Sequence, residues 1–421
     1  MEILTSYNLI AGVSLIIILS FLFNEISKKT NVPSVLMLIV LGILLQYVFE
    51  FFNVGNINFF PILEVLGIVG LIMIVLEAAL ELELKRDKLI PILKSFVIAL
   101  IGLVASAWVA AIILFNFVPN MSMQSAWLYA TPLSILSSAI IIPSVSGLGG
   151  TKKEFHIYES TFSDILGIIM FYFLTGKLNT ANDTGVFEFS GTLVLTILVS
   201  LIASYGIILV FQRIKSQVKL FLLIAILLLL YAVGKQMHLS SLIIILIFGL
   251  VIANMRLFFR GKLSRFLHYE KTHQIYHELH TITAETAFVV RTFFFVIFGV
   301  TIAVASLFDA TVAGISSLII ISIYLIRFVL LRIFVGKDIL PQLFIAPRGL
   351  ITVLLFYAIP EEAILESFEP GILLFVIIVT SLIMTSALIF DKRRSLKALN
   401  VANERKVGTM SWKAPTVNEM K

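Results

Sequence analysis

The sequence predicts an all-α polytopic membrane protein of about 13 transmembrane helices, arranged as two inverted six-helix repeats with crossing broken helices. Three observations carry that prediction. Of 421 residues, 59% are hydrophobic and only 13% are charged, against roughly 25% charged in a soluble domain. Apolar runs of about 20 residues, long enough to cross a bilayer, recur along almost the whole chain. The loops between them alternate between basic and charge-poor. There is no cysteine, which excludes disulfides, thiol catalysis and cysteine metal sites. The first apolar run lacks a basic leader and a small-residue cleavage site, so it reads as a retained span.

Apolar runs bounded by charge or turn residues place spans at about 7–25, 32–51, 59–81, 92–116, 124–146, 157–176, 188–212, 218–236, 239–258, 280–307, 311–335, 338–358 and 368–390. The odd-numbered loops are basic: Lys28 and Lys29; Lys85, Arg86 and Lys88; Lys152 and Lys153; Arg213 and Lys215; Arg256, Arg260, Lys262, Arg265 and Lys271; Lys337. The tail adds Lys392, Arg393, Arg394 and Lys397. The even loops hold little beyond Lys177 and Lys235, and the twelfth is acidic through Glu361, Glu362 and Glu366. By the positive-inside rule the N-terminus is outside and the C-terminus cytoplasmic in a multi-pass cell-membrane protein. The formal charge of +6 is then a topology signal and implies no nucleic acid partner. Residues 1–390 read as one transmembrane domain and 391–421 as a short basic cytoplasmic tail.

With the seventh span set aside as a connector, two groups of six spans enter from opposite sides, the inverted arrangement common in secondary transporters. The site is expected where a broken helix from each group crosses the other. The fifth span carries Pro132, Ser134, Ser137, Ser138, Pro143 and Ser144; the twelfth carries Pro341, Pro347 and Gly349 around Arg348. Proline removes an amide donor and frees a carbonyl, which suits cation coordination where the gap lines a cavity. A simple proline kink is the plainer reading of either span alone.

Charges inside spans demand a reason, because a carboxylate at a membrane-helix centre costs roughly 2.5–3.5 kcal/mol on insertion scales. Glu159 lies near the inner end of the sixth span and Asp164 about one and a half turns deeper. Arg327, about two-thirds along the inward-running eleventh span, comes to a similar depth as Glu159. A buried Glu159–Arg327 pair would cancel both charges; unpaired, Arg327 would snorkel inward, as expected of Arg332. Glu77, near the inner end of the third span, either faces the cavity as a second carboxylate or sits at the interface. Arg348 needs a carbonyl or carboxylate partner and is assigned to holding the broken twelfth span. Arg291 and Glu285 on the tenth span read as local structure.

With Glu159 neutralised, Asp164 is the main uncompensated negative charge at mid-depth. A single carboxylate holds a proton or a cation, and competition of that kind is a complete coupling mechanism. Ser160 and Ser163 offer hydroxyl oxygens to a hard alkali cation, or simply satisfy the helix backbone.

These residues resemble the monovalent cation:proton antiporter superfamily, in its sodium/proton exchanger branch, over about residues 7–390. The branch carries Glu-Ser-x-x-Asn-Asp on its sixth span, and Glu159-Ser160-Thr161-Phe162-Ser163-Asp164 fits with Ser163 for the asparagine. Ala346-Pro347-Arg348-Gly349-Leu350 is similar to its arginine-glycine motif, and Arg327 stands in the place of the arginine that pairs with the motif glutamate. Val32-Pro33-Ser34-Val35 followed by Leu41-Gly42-Ile43-Leu44 is similar to its second span. Leu76-Glu77-Ala78-Ala79-Leu80-Glu81 resembles the end of its third, where some members use a glutamate as cation ligand. In place of the branch's Thr-Asp-Pro the fifth span reads Ser137-Ser138-Ala139-Ile140-Ile141-Ile142-Pro143, closer to the potassium-efflux branch.

The resemblance implies a sodium/proton antiporter fold and exchange of H+ for Na+ or Li+, with K+ as the alternative. It implies Asp164, Ser160, Ser163 and Glu77 as the cation and proton site, Glu159 with Arg327 as a structural pair, and Arg348, Pro347, Ser137 and Ser138 as support of the broken helices. A single acid beside a neutral residue implies electroneutral exchange. The resemblance also implies a homodimer in the lipid bilayer through first-half spans. No cofactor, metal or catalytic residue is expected. Only 31 residues follow Phe390, so no nucleotide-binding domain of the potassium-efflux kind is expected in this chain.

Two readings from other classes are a passive cation channel and an inactive sensor. A channel lines its pore with rings of equivalent residues, and a sensor is expected to carry a long tail or a fused domain. Neither pattern is present. No nucleophile–base pair lies inside the spans, so an enzyme is not expected. In the ninth loop, beside His268, helical spacing would put His273, His277 and His280 on one face. They are a cytoplasmic pH sensor or incidental surface histidines.

Overall fold

In lipid a backbone must satisfy its own hydrogen bonds, so apolar runs of this length fold as helices. The computed structural model describes residues 6–30, 32–52, 60–82, 84, 88–176, 186–214, 219–236, 241–259, 268–301 and 304–409. Lys85, Arg86, Lys177, Lys215, Arg260, Lys262 and Arg265, part of the loop-charge reading, lie outside the described residues, as does 410–421 of the tail. In chain order the helices are α1 (Ser6–Thr30), α2 (Ser34–Phe51), α3 (Phe60–Glu81), α4 (Leu89–Phe117), α5 (Met123–Ser134), α6 (Ser138–Ser144), α7 (Gly150–Gly176) and α8 (Val186–Phe211). They continue as α9 (Lys219–Gln236), α10 (Ser241–Ala253), α11 (Met255–Phe258), α12 (Tyr269–Thr301), α13 (Ala310–Phe334), α14 (Leu350–Tyr357) and α15 (Gly371–Thr409). The described residues contain no strand.

Nine stretches among the described residues are long and apolar enough to cross a membrane, and α9 and α10 add two shorter apolar helices. The third predicted span is α3. The fifth is divided into α5 and α6, and the twelfth is a single 3-10 turn at Gln342–Phe344, an extended run and then α14. Two boundaries differ from the sequence reading. α12 starts at Tyr269, well before the apolar run, so the ninth-loop histidines from His273 onward are helical. α15 continues past Phe390 through Thr409, because Leu, Ala, Lys, Arg and Glu propagate a helix.

The helices pack as two groups. α12 lies on α2 and α3, and α10 joins α3 to α8 and α9. α4 lies against α5, α7 and α13, and α13 against α15. The first three spans of each six-span repeat thus enter one group, and the last three enter the other. The tightest approach in the first group is between α2 and α12. A Cβ on Gly42 would collide with the Val296 carbonyl oxygen, and one on Gly299 with that of Ile39. Helices lacking a side chain at the crossing approach backbone to backbone. The start of α13 is capped by a side chain: Asp309 Oδ1 accepts from the amides of Thr311 (2.7 Å) and Val312 (3.1 Å).

Gly299→Leu should destabilise the solubilised protein by about 1–3 kcal/mol, the usual cost of overpacking. Gly12→Leu, where nothing lies within 4 Å of an added Cβ, should leave the unfolding midpoint unchanged in the same thermal assay.

Candidate functional site

The two broken spans meet at residues 135–137 and 345–349. A break in a buried helix frees amides that must find other acceptors, and those of residues 135–137 do. Ile135 N reaches Pro132 O at 3.4 Å, Leu136 N donates to Ser163 Oγ at 3.0 Å, and Ser137 N donates to Pro347 O at 3.0 Å. The last bond joins one broken span to the other. The crossing is close: a Cβ on Gly349 would collide with the Ser137 hydroxyl and lie 2.9 Å from Ile140 Cδ1. Pro132 and Pro143 flank the break without standing in it.

Arg348 is 2% exposed and holds the crossing from inside. Its Nε donates to Leu133 O (2.8 Å), its Nη1 to Ala346 O (3.0 Å), and its amide to Thr380 Oγ1 (3.1 Å). The guanidinium therefore sits at the C-terminal end of α5, where unpaired carbonyls carry partial negative charge. Pro347 contributes its carbonyl to Ser137, and Ser137 its amide.

α7 presents the acidic motif against this crossing. Glu159 and Asp164 are five residues apart, about 140° around a helix, so they face different neighbours. Glu159 turns to α13. Arg327 Nη1 and Nη2 donate to its Oε1 and Oε2 at 2.7 and 2.9 Å, and Arg327 Nε donates to Gln342 O at 3.1 Å. The side chains are 8% and 1% exposed. This is a bidentate fork, the strongest geometry for such a pair. Ser163, one turn from Glu159, accepts from the Leu136 amide and shares with Glu159, Arg327, Arg348 and Ser134 a cavity of about 30 Å³.

Asp164 turns instead to the start of α6, where the Ser138 hydroxyl donates to its Oδ2. Its Oδ1 is buried and has no hydrogen-bond partner among the described residues. No described ion pair includes Asp164. Ser160, on the same face, donates to His156 O of its own helix at 2.7 Å, which leaves its oxygen lone pairs unused.

Glu77 lies at a second place. It lines a cavity of about 250 Å³ between the two helix groups, together with Asn24, Ser34, Glu81, Arg291 and Ser138. The cavity thus reaches the residue that bonds Asp164. Arg291 does not pair with Glu285, which is exposed; its Nη2 stands 3.1 Å from both oxygens of Glu77. The His273 and His277 rings meet edge-to-face at 4.4 Å on α12, with Tyr269 and Tyr276 beside His273, and His273 lines a separate cavity with Arg256.

Sequence reasoning missed His156. It is fully buried, and its Nδ1 stands 3.3 Å from Glu159 Oε2. Its place one turn before Glu159 was the available signal, since residues three apart share a helix face.

Arg327→Gln would strand Glu159 in the interior, and breaking a buried pair in this way costs about 3–5 kcal/mol. The double variant Glu159→Gln/Arg327→Gln should lose clearly less stability, as read from thermal unfolding in detergent.

By sequence, no curated protein matches the chain. Among solved structures it is similar to the sodium proton antiporter MjNhaP1 from Methanocaldococcus jannaschii, determined at pH 8, with a TM-score of 0.66 and 19% identity, covering 93% of this chain and 99% of that one. A second MjNhaP1 structure, from an electron-microscopy map, matches with a TM-score of 0.64 and 16% identity over 98% of this chain and 100% of that one. At such identity the likeness establishes the fold. The profile described as "Sodium/hydrogen exchanger, transmembrane" matches residues 13–390. The chain therefore belongs to the sodium/hydrogen exchanger family, a multi-pass membrane cation:proton antiporter and not an enzyme.

Proposed function

We propose that this antiporter exchanges a proton for sodium or lithium by alternating access, with the two ions competing for Asp164 and one charge moving in each direction. The observation that carries the reading is the state of that carboxylate: buried, bonded to one hydroxyl through Oδ2, with Oδ1 unpartnered among the described residues. An isolated buried carboxylate is too costly to leave bare. A proton or a cation has to occupy it whenever the site crosses between faces.

Ser160 and Ser163 flank Asp164 as oxygen donors, with the Ser163 hydroxyl shared with the broken span. Glu77 is the first carboxylate met in the cavity that leads to Ser138. The Glu159–Arg327 fork keeps a second charge from joining the exchange, which supports an electroneutral cycle. Arg348, Pro347, Ser137 and Ser138 hold the crossing rigid. Residues 1–390 act as the transport domain, and 391–421 as a basic tail. The alternation of loop charge supports an N-terminus outside and a C-terminus in the cytoplasm, in the cell membrane. First-half spans outside the α4–α7 group are the expected homodimer surface.

A potassium/proton exchanger of the same fold is the second reading. It is favoured by Ser137-Ser138 at the break, where Ser138 meets Asp164 through a hydroxyl.

In proteoliposomes, adding sodium, lithium and potassium in turn should trigger proton movement with at least one cation, and Asp164→Asn should abolish it. The effective ion names the substrate. Cation flux without proton movement would leave a channel as the better description.

A further inference from the structure

The cavity between the helix groups contains an ion pair built differently from the one at Glu159. Arg327 uses two nitrogens on two oxygens at 2.7 and 2.9 Å and a third donor on Gln342 O. Arg291 offers Glu77 a single nitrogen, 3.1 Å from both oxygens, while its Nε stands 3.4 Å from Ala287 O on its own helix. The Glu159 pair is sealed; the side chains of Arg291 and Glu77 are 17% and 18% exposed and face the cavity. A partly wet, single-nitrogen contact is weak enough to open and close.

A guanidinium and an alkali cation cannot both sit favourably on Glu77, since each needs the same oxygens and they repel one another. Glu81 lines the same cavity, so with all three groups charged the wall is net negative and still draws a cation in.

We propose that Arg291 is a tethered competitor: it occupies Glu77 when no ion is present, an incoming alkali cation takes Glu77 only by displacing it, and Arg291 thereby sets the apparent cation affinity. The inference rests on the antiport reading and extends it to affinity control. Arg291 acts through Glu77 and does not touch the transported ion, so it is a positioning residue. Its return to Glu77 also keeps that carboxylate from retaining the ion once the ion has moved on toward Ser138 and Asp164. The size of the effect follows from occupancy. If the pair is closed about nine-tenths of the time, the competent fraction is about one-tenth and half-saturation is raised about tenfold.

The test is proton flux in proteoliposomes against sodium concentration at fixed pH. Arg291→Gln should lower the half-saturating sodium concentration about tenfold, and Arg291→Lys should restore most of the original value. Glu77→Gln should raise it, and adding Arg291→Gln to Glu77→Gln should change nothing further. If Arg291→Gln does not give monodisperse protein, Arg291→Ala must show the same downward shift. Half-saturation that is unchanged or higher in the Arg291 variants overturns the inference, as does an equal shift in the Glu77→Gln background. These outcomes differ from failure of the antiport reading itself, which would appear as wild-type protein without sodium-triggered proton flux, or as full flux in Asp164→Asn.

Discussion

A carboxylate sealed between helices must be neutralised, because removing an ion of that size from water costs several kcal/mol even after the protein relaxes. The two acids of α7 meet that constraint in opposite ways. Glu159 has a permanent partner in Arg327, held by two short hydrogen bonds. Asp164 has a hydroxyl on one oxygen and, among the described residues, no hydrogen bond on the other. Five residues of helix separate a carboxylate paired with a guanidinium from one that meets the Ser138 hydroxyl. The contacts around the two acids give them these different surroundings.

The crossing of the broken spans does most of this. Breaking α5 from α6 brings the first residues of a helix, and the Ser138 hydroxyl, up to Asp164. It also leaves the Leu133 carbonyl without a helical partner, and Arg348 accepts the task of pairing it. The Ser137 amide is satisfied from the other broken span, so neither break stands without its counterpart. Gly349 permits this only because it has no Cβ. Local unwinding inside a membrane is tolerated when the freed groups are satisfied by neighbours.

Much of this was legible in the sequence, and the rest was hidden for definite reasons. Hydropathy and loop charge give the spans because lipid imposes one dominant rule on composition. The meeting of Glu159 and Arg327 follows from counting turns along two antiparallel helices. The position of the fifth-span break does not follow from its prolines, since Pro132 and Pro143 flank residues 135–137; the break lies where Ser163 and Pro347 offer acceptors from other helices. Glu77 and Arg291 are 214 residues apart, and their approach depends on α3 and α12 packing together, alongside the close α2–α12 contact at Gly42 and Gly299. No local pattern carries that. The early start of α12 was obscured because its first turns are polar, so a hydropathy window sees only the part in lipid.

The most direct measurement is the half-saturating sodium concentration for proton exchange in proteoliposomes across a series of pH values. Competition at Asp164 predicts that half-saturation rises about tenfold for each unit of acidification below the site's midpoint, while the maximal rate stays constant. Constant half-saturation with a maximal rate that falls on acidification would mean that the proton acts at a place the cation does not occupy. One carboxylate serving both ions would then be the wrong description.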